Sequence, residues 1–121
     1  YALHAIKVET KLRKDDDPKL AKLYFDTGNK YYMHKQHPTA ILYMNKAVEI
    51  YLKSPQKESV ALADTYEGIA SIYINLEDFE KSLAYNEKAL ALRKKLLPEN
   101  DEALQRSIQN SVYLKETLKK K

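Results

Sequence analysis

The sequence predicts an all-α protein, an array of antiparallel helix pairs with about six helices: one leading half-repeat, two full repeats and one terminal helix. Three observations carry this. In Tyr66–Leu92, apolar residues fall at helical spacing on two successive stripes, Tyr66, Ile69, Ala70 and Tyr73, then Phe79, Leu83, Ala89 and Leu90. The pattern recurs at an interval of 42 residues, which pairs Tyr24 with Tyr66, Gly28 with Ala70, Tyr31 with Tyr73, Ala40 with Ser82, Met44 with Asn86, Lys46 with Lys88 and Ala47 with Ala89. Charged residues make up 31% of the chain and there are only two glycines, which suits helices joined by short turns better than a sheet.

The elements follow in order. Tyr1–Lys14 reads as the second helix of a repeat, because Tyr1, Ala5, Ile6 and Val8 stand 42 residues before Tyr43, Ala47, Val48 and Ile50. Asp15-Asp16-Asp17-Pro18 ends it and starts the next helix, with Asp17 as cap and Pro18 at the first helical position. The acidic triplet lacks the alternating spacing and glycine of a calcium loop. Leu20–Lys35 is the first helix of the first full repeat, with Leu20, Leu23, Tyr24, Thr27, Gly28 and Tyr31 facing inward. Gly28 costs about 1 kcal/mol of helix propensity against alanine, and close approach of the partner helix is the expected return. After the turn Gln36-His37-Pro38, a second helix carries Ala40, Ile41, Met44, Ala47, Val48 and Tyr51, and Ser54-Pro55 separates the repeats.

In the second full repeat, Asp78 is the expected N-cap of the second helix. The eight residues Arg93–Asn100 are expected to lengthen that helix by roughly two turns, ~12 Å. A last helix then runs from Asn100-Asp101-Glu102 to about Leu118, with Leu104, Ile108, Val112 and Leu118 as its stripe. Lys115 stands where the earlier repeats have tyrosine. This suits a terminal cap; the alternative is the first helix of a third repeat.

The stretch Tyr66-x2-Ile69-Ala70-x2-Tyr73, then Ser82-x3-Asn86, then Ala89, resembles the tetratricopeptide repeat (TPR) pattern W-x2-L-G-x2-Y, A-x3-F, A, P. Ser82, Asn86 and the displaced Pro98 depart from it. The 42-residue period exceeds the usual 34, and ALALRKKLLPEND is similar to the kinesin-light-chain class of these repeats. The resemblance implies a right-handed superhelix in which first helices line a concave side. It also implies a single TPR-like domain over 1–121, a piece of a longer protein, with repeats at about 1–17 (partial), 18–57, 58–99 and 100–121 (partial or cap).

No catalytic constellation is present: there is no glycine-rich phosphate loop, no cysteine and no histidine paired with a nucleophile, so neither an enzyme nor a cofactor or metal site is expected. His34 and His37 straddle a turn and lack a third ligand, and His4 is expected on the leading helix. The ten tyrosines are better explained by packing than by a cofactor. No apolar run approaches the ~20 residues of a membrane span. All of the net charge of +4 lies in residues 1–60, with no Lys/Arg stripe of the kind nucleic-acid binders carry. The absence of cysteine agrees with a reducing compartment, and a cytoplasmic location is expected.

Function is therefore expected from the surface: a scaffold holding a partner peptide or helix in the concave groove. Projection of the stripes assigns to the groove Lys22, Phe25, Asn29, Tyr32 and Met33 of the first repeat, Asp64, Glu67, Ser71, Ile74 and Asn75 of the second, and Arg106, Gln109 and Tyr113 of the last helix. Packing against the adjacent repeat is the other reading of Phe25 and Tyr32. TPR co-chaperones that grip a C-terminal carboxylate use Lys and Asn on one first helix, Asn on the next, and Lys and Arg on a third. Asn29 matches, but Phe25, Ser71, Gln109 and Tyr113 do not, and a carboxylate needs those charges. Two other readings are self-association through the apolar faces Ala5/Ile6/Val8 and Val112/Leu118, and regulation of a larger enzyme or motor complex.

Overall fold

The computed structural model describes residues 18–54 and 58–120, and the expected leading helix Tyr1–Lys14, with His4 and the acidic triplet, lies outside them. The described residues form five helices and no strand: α1 (Pro18–Met33), α2 (His37–Lys53), α3 (Val60–Asn75), α4 (Phe79–Leu96) and α5 (Glu102–Lys119). The chain divides into two compact units, Tyr1–Glu58 and Ser59–Lys121.

In the first unit α1 and α2 form an antiparallel pair over a short turn. The turn is a Schellman closure: the Lys35 amide donates to the Tyr32 carbonyl at 2.9 Å and the Gln36 amide to the Tyr31 carbonyl at 2.9 Å. Such a closure needs one left-handed residue, and here it is Lys35, at φ 62°. Gly28 sits where the helices cross. A β-carbon there would lie 2.7 Å from Met44 Cγ and 3.1 Å from the Ala40 carbonyl, so only glycine lets the backbones come this close. Leu20, Ala21, Ala40, Met44 and Ala47 are buried around the crossing. Beside them the rings of Tyr24 and Tyr31 stack on buried Tyr43, with centroids 6.1 and 5.5 Å away. Burial first, and then the neighbouring phenols of Tyr31 and Tyr24, push the Tyr43 hydroxyl above its ordinary pKa.

The second unit repeats this arrangement 42 residues on and adds one helix. Glu77, at φ 59°, closes the α3–α4 turn, with its own amide donating to Ile74 and that of Asp78 to Tyr73. Asp78 then caps α4 by accepting from the Lys81 amide at 3.2 Å, as its position before the stripe predicts. The rings of Tyr66 and Tyr73 pack on Tyr85 at 6.0 and 5.8 Å. Lys88 lies over Tyr66 at 5.5 Å as Lys46 lies over Tyr24 at 5.8 Å. At the crossing, the buried Ser82 hydroxyl donates to the Ala70 carbonyl at 2.8 Å. Gly28 and Ala70 thus stand at the same contact, facing residues 40 and 82.

Two expectations are corrected. Arg93–Asn100 does not add two turns to α4, which ends at Leu96. Pro98 disfavours helical backbone at the residue before it, and Leu97 is extended, at ψ 152°. The stripe of α5 is also shifted by about one position: Leu104, Ser107, Ser111 and Leu114 are buried, whereas Val112 is 56% exposed. The face carrying Ile108 and Val112 corresponds to the one that α3 turns toward α4. Instead α5 meets α4 through the adjacent face, capped by Asp101, which accepts from the amides of Ala103 and Leu104 at 2.8 and 3.3 Å.

Candidate interaction surface

The most heavily connected side chain in the second unit is Arg93, in the last turn of α4 and 0% exposed. A buried guanidinium is costly unless its donors are met, and here most are. Nη1 donates to Glu67 Oε2 at 3.0 Å, to the Ser107 hydroxyl at 2.8 Å and to the Ala103 carbonyl at 3.3 Å. Nη2 donates to Asp64 Oδ1 at 2.9 Å and to Glu67 Oε1 at 3.2 Å. Nε is buried without a partner. One side chain of α4 therefore ties α3 to α5.

Glu67 receives a second fork. Arg106 of α5 donates through Nε at 2.7 Å and Nη2 at 3.0 Å, a bidentate pair between helices α3 and α5. Burial alone would push the Glu67 carboxyl up, but the hydrogen bonds from Arg106 and Arg93, with their charges, outweigh it and hold its pKa at about 2. Burial likewise would lower Arg93, but Glu67 and Asp64 hold it above its ordinary value. Asn86 completes the α4–α5 contact by donating to the Ser107 carbonyl at 2.9 Å. Ser111 donates to Glu87, which also lies 3.7 Å from Lys115.

The structure thus brings Asp64, Glu67 and Arg106 of the expected groove together around Arg93. Further along α5, Gln109 and Tyr113 follow Arg106 at helical spacing; both are exposed, Tyr113 by 58%. On α3, Ser71 and Ile74 are half-buried, and exposed Asn75 donates its side-chain amide to the Ser71 carbonyl at 3.0 Å. In the first unit, Lys22 is exposed and lies 3.4 Å from Asp26, a loose surface pair. Phe25 and Asn29 are half-buried, Met33 is 78% exposed, and half-buried Tyr32 lies 5.6 Å from the ring of His37. His34 is exposed, and among the described residues no group of three His, Cys, Asp or Glu could hold a metal ion.

Arg93 is the residue that sequence reading missed. Its signal lay in the 42-residue register. Tyr51 becomes Arg93 and Phe25 becomes Glu67, so an uncharged pair of positions turns into an ion pair in a single step.

Residues 62–105 match the model of the tetratricopeptide repeat family. This segment is a tetratricopeptide repeat. The described helices have the TPR-like fold. The chain is similar to the nearly identical TPR-like repeats of a Podosopora anserina kinesin light chain, with a TM-score of 0.77 at 13% identity over 99% of this chain and 57% of that one. A point-substituted form of the same repeats gives 0.79 at 13% identity over the same shares. BtubC (BKLC) from P. vanneervenii gives 0.78 at 19% identity over 90% of this chain and 43% of that one. This chain therefore spans only about half the length of these structures, and at such identities the likeness is one of fold. No curated protein matches the chain. No described helix is long and apolar enough to cross a membrane.

Proposed function

We propose that this chain is a non-catalytic binding module that holds a partner peptide or helix along the exposed faces of its first helices. TPR-like repeats are in general protein-interaction modules. The observation that carries the reading here is the Glu67–Arg106 pair. It fixes α5 beside α3 and leaves Gln109 and Tyr113 in water next to it, an amide and an aromatic on one helical stripe. Side chains of this kind suit a ligand whose backbone is hydrogen-bonded while an apolar side chain packs on the ring. Ser71 and Ile74 extend the surface on α3, and Lys22, Phe25, Asn29, Tyr32 and Met33 form the corresponding stripe of α1 in the first unit.

The ionic cluster bears on what the surface prefers. The charges of Arg93 and Arg106 are met by Asp64 and Glu67 within the fold, so neither guanidinium is left to demand an acidic ligand. A peptide ending in a free carboxylate has nothing to gain from them. Synthetic peptides immobilised in sets with free and amidated C-termini test the reading. Selected peptides should bind equally in both forms, and Tyr113→Ala or Gln109→Ala should weaken them at least tenfold without changing helix content. Binding that needs the free carboxylate, or that ignores both substitutions, contradicts it.

A further inference from the structure

Among the described residues, the two ring pairs nearest to parallel are Tyr31 with Tyr43 and Tyr73 with Tyr85. The first has 5.5 Å between centroids and 6° between planes, the second 5.8 Å and 16°. They are the same pair, 42 residues apart. Each joins a first helix to the second helix packed on it, α1 to α2 and α3 to α4. The other ring neighbours of Tyr43 and Tyr85 are further off and more tilted: Tyr24 at 6.1 Å and 24°, and Tyr66 at 6.0 Å and 41°. Tyr31, Tyr73 and Tyr85 are only half-buried, so each pair has an edge within reach of solvent. Burial raises the Tyr43 and Tyr85 hydroxyls above their ordinary pKa, and at neutral pH both are phenols with a proton to lose.

Two phenols held together in this way are placed for one reaction. We propose that Tyr31–Tyr43 and Tyr73–Tyr85 are oxidative cross-linking sites, at which a one-electron oxidant, such as a ferryl haem, joins each helix pair through a dityrosine bond. Two equivalents of oxidant take one electron from each phenol, and each phenol passes its hydroxyl proton to water. The two phenoxyl radicals form one carbon–carbon bond between their ortho carbons. Each ring then moves its ortho hydrogen to oxygen and is a phenol again. One carbon–carbon bond has replaced two carbon–hydrogen bonds, with two electrons gone to the oxidant and two protons to water. The fold contributes proximity, which makes the coupling intramolecular. Tyr113 is 58% exposed and belongs to no ring pair among the described residues. A radical there has to await another molecule, and its coupling slows on dilution.

Photo-oxidation of the full 121-residue chain with a ruthenium polypyridyl and persulfate tests this. Met33, 78% exposed, reports by its conversion to sulfoxide that oxidant has reached the protein. The expected product is a monomer that has lost two hydrogens per link. Its digest should contain the Tyr31 peptide joined to the Tyr43 peptide, and the Tyr73 peptide joined to the Tyr85 peptide. The yield should not change over a hundredfold dilution. Tyr31→Phe keeps a ring in the stack and should abolish the first link while leaving the second. Tyr73→Phe should do the reverse, and Tyr113→Phe should affect neither. In urea that unfolds the chain, the same dose should scatter the links over other tyrosines. Oxidation of Met33 without dityrosine overturns the proposal. So do links that fall away on dilution or run through Tyr113, and a pattern of links that persists in urea.

Discussion

At the scale of single residues, Arg93 and Gly28 each depart from what local preference would choose. Replacing Arg93 by methionine keeps the apolar stem but leaves Asp64 and Ser107 without their donor. A broken buried pair costs about 3 kcal/mol, and urea denaturation should show a loss of that order. Introducing the first-repeat pair, Arg93→Tyr with Glu67→Phe, should cost less than the two single changes added together, because the pair is swapped as a unit. Glu67 also makes stability depend on pH. Its carboxyl lies at about 2 in the fold against an ordinary 4.5. The native state therefore favours the ionised form, a contribution fully present above 4.5 and lost as pH falls from there through 2. The loss should be about 3 kcal/mol, and Glu67→Gln should flatten that part of the profile. Gly28→Ala should destabilise by about 1–3 kcal/mol through overpacking, even though alanine is the better helix former. The 3.1 Å contact to the Ala40 carbonyl is backbone and cannot rotate away.

At the scale of elements, both helix pairs turn on a left-handed residue that is not glycine, Lys35 and Glu77. An L-residue pays roughly 1–2 kcal/mol in that conformation. Lys35→Gly and Glu77→Gly should therefore each stabilise the fold by about 0.5–1 kcal/mol after the entropy of glycine is counted, measurable as a rise in urea midpoint. The same elements show what could be read from the sequence. The α1–α2 and α3–α4 pairs were legible because tyrosine, glycine and alanine recur at one interval, and each of those residues has a packing reason to recur. The end of α4 was legible only in Pro98, whose effect on Leu97 outweighs a helix-forming run of Arg, Lys and Leu. The stripe of α5 was not legible from the register. That register carries over positions, not neighbours, and α5 has α4 against the face that holds Ser107 and Ser111. Two serines at buried positions carry no hydropathy signal. The surface residues remained expectations for a related reason: exposure of Tyr113 or burial of Phe25 is decided by what packs beside them, whereas the Glu67–Arg106 pair joins residues 39 apart in sequence.

At the scale of the whole molecule, two units carry the same design with different chemistry at one place. The first is uncharged at residues 25 and 51, and the second is ionic at 67 and 93. In the second unit α3 and α4 are joined by packed tyrosine rings, whereas α4 and α5 are joined by Leu104 and Leu114 together with Arg93, Asn86 and two serines. A contact with this larger polar share opens first. Native-state hydrogen exchange should find the amides of α5 less protected than those at the centres of α3 and α4, and Arg93→Met should widen that gap. The account depends above all on the two helix pairs being one structure written twice. Ring-to-ring nuclear Overhauser effects in tyrosine-labelled protein test this most directly, since the ring centroids lie 5.5–6.1 Å apart. Tyr43 should show contacts to both Tyr24 and Tyr31, and Tyr85 to both Tyr66 and Tyr73. Contacts for one central tyrosine without the matching pair for the other would contradict the repeat.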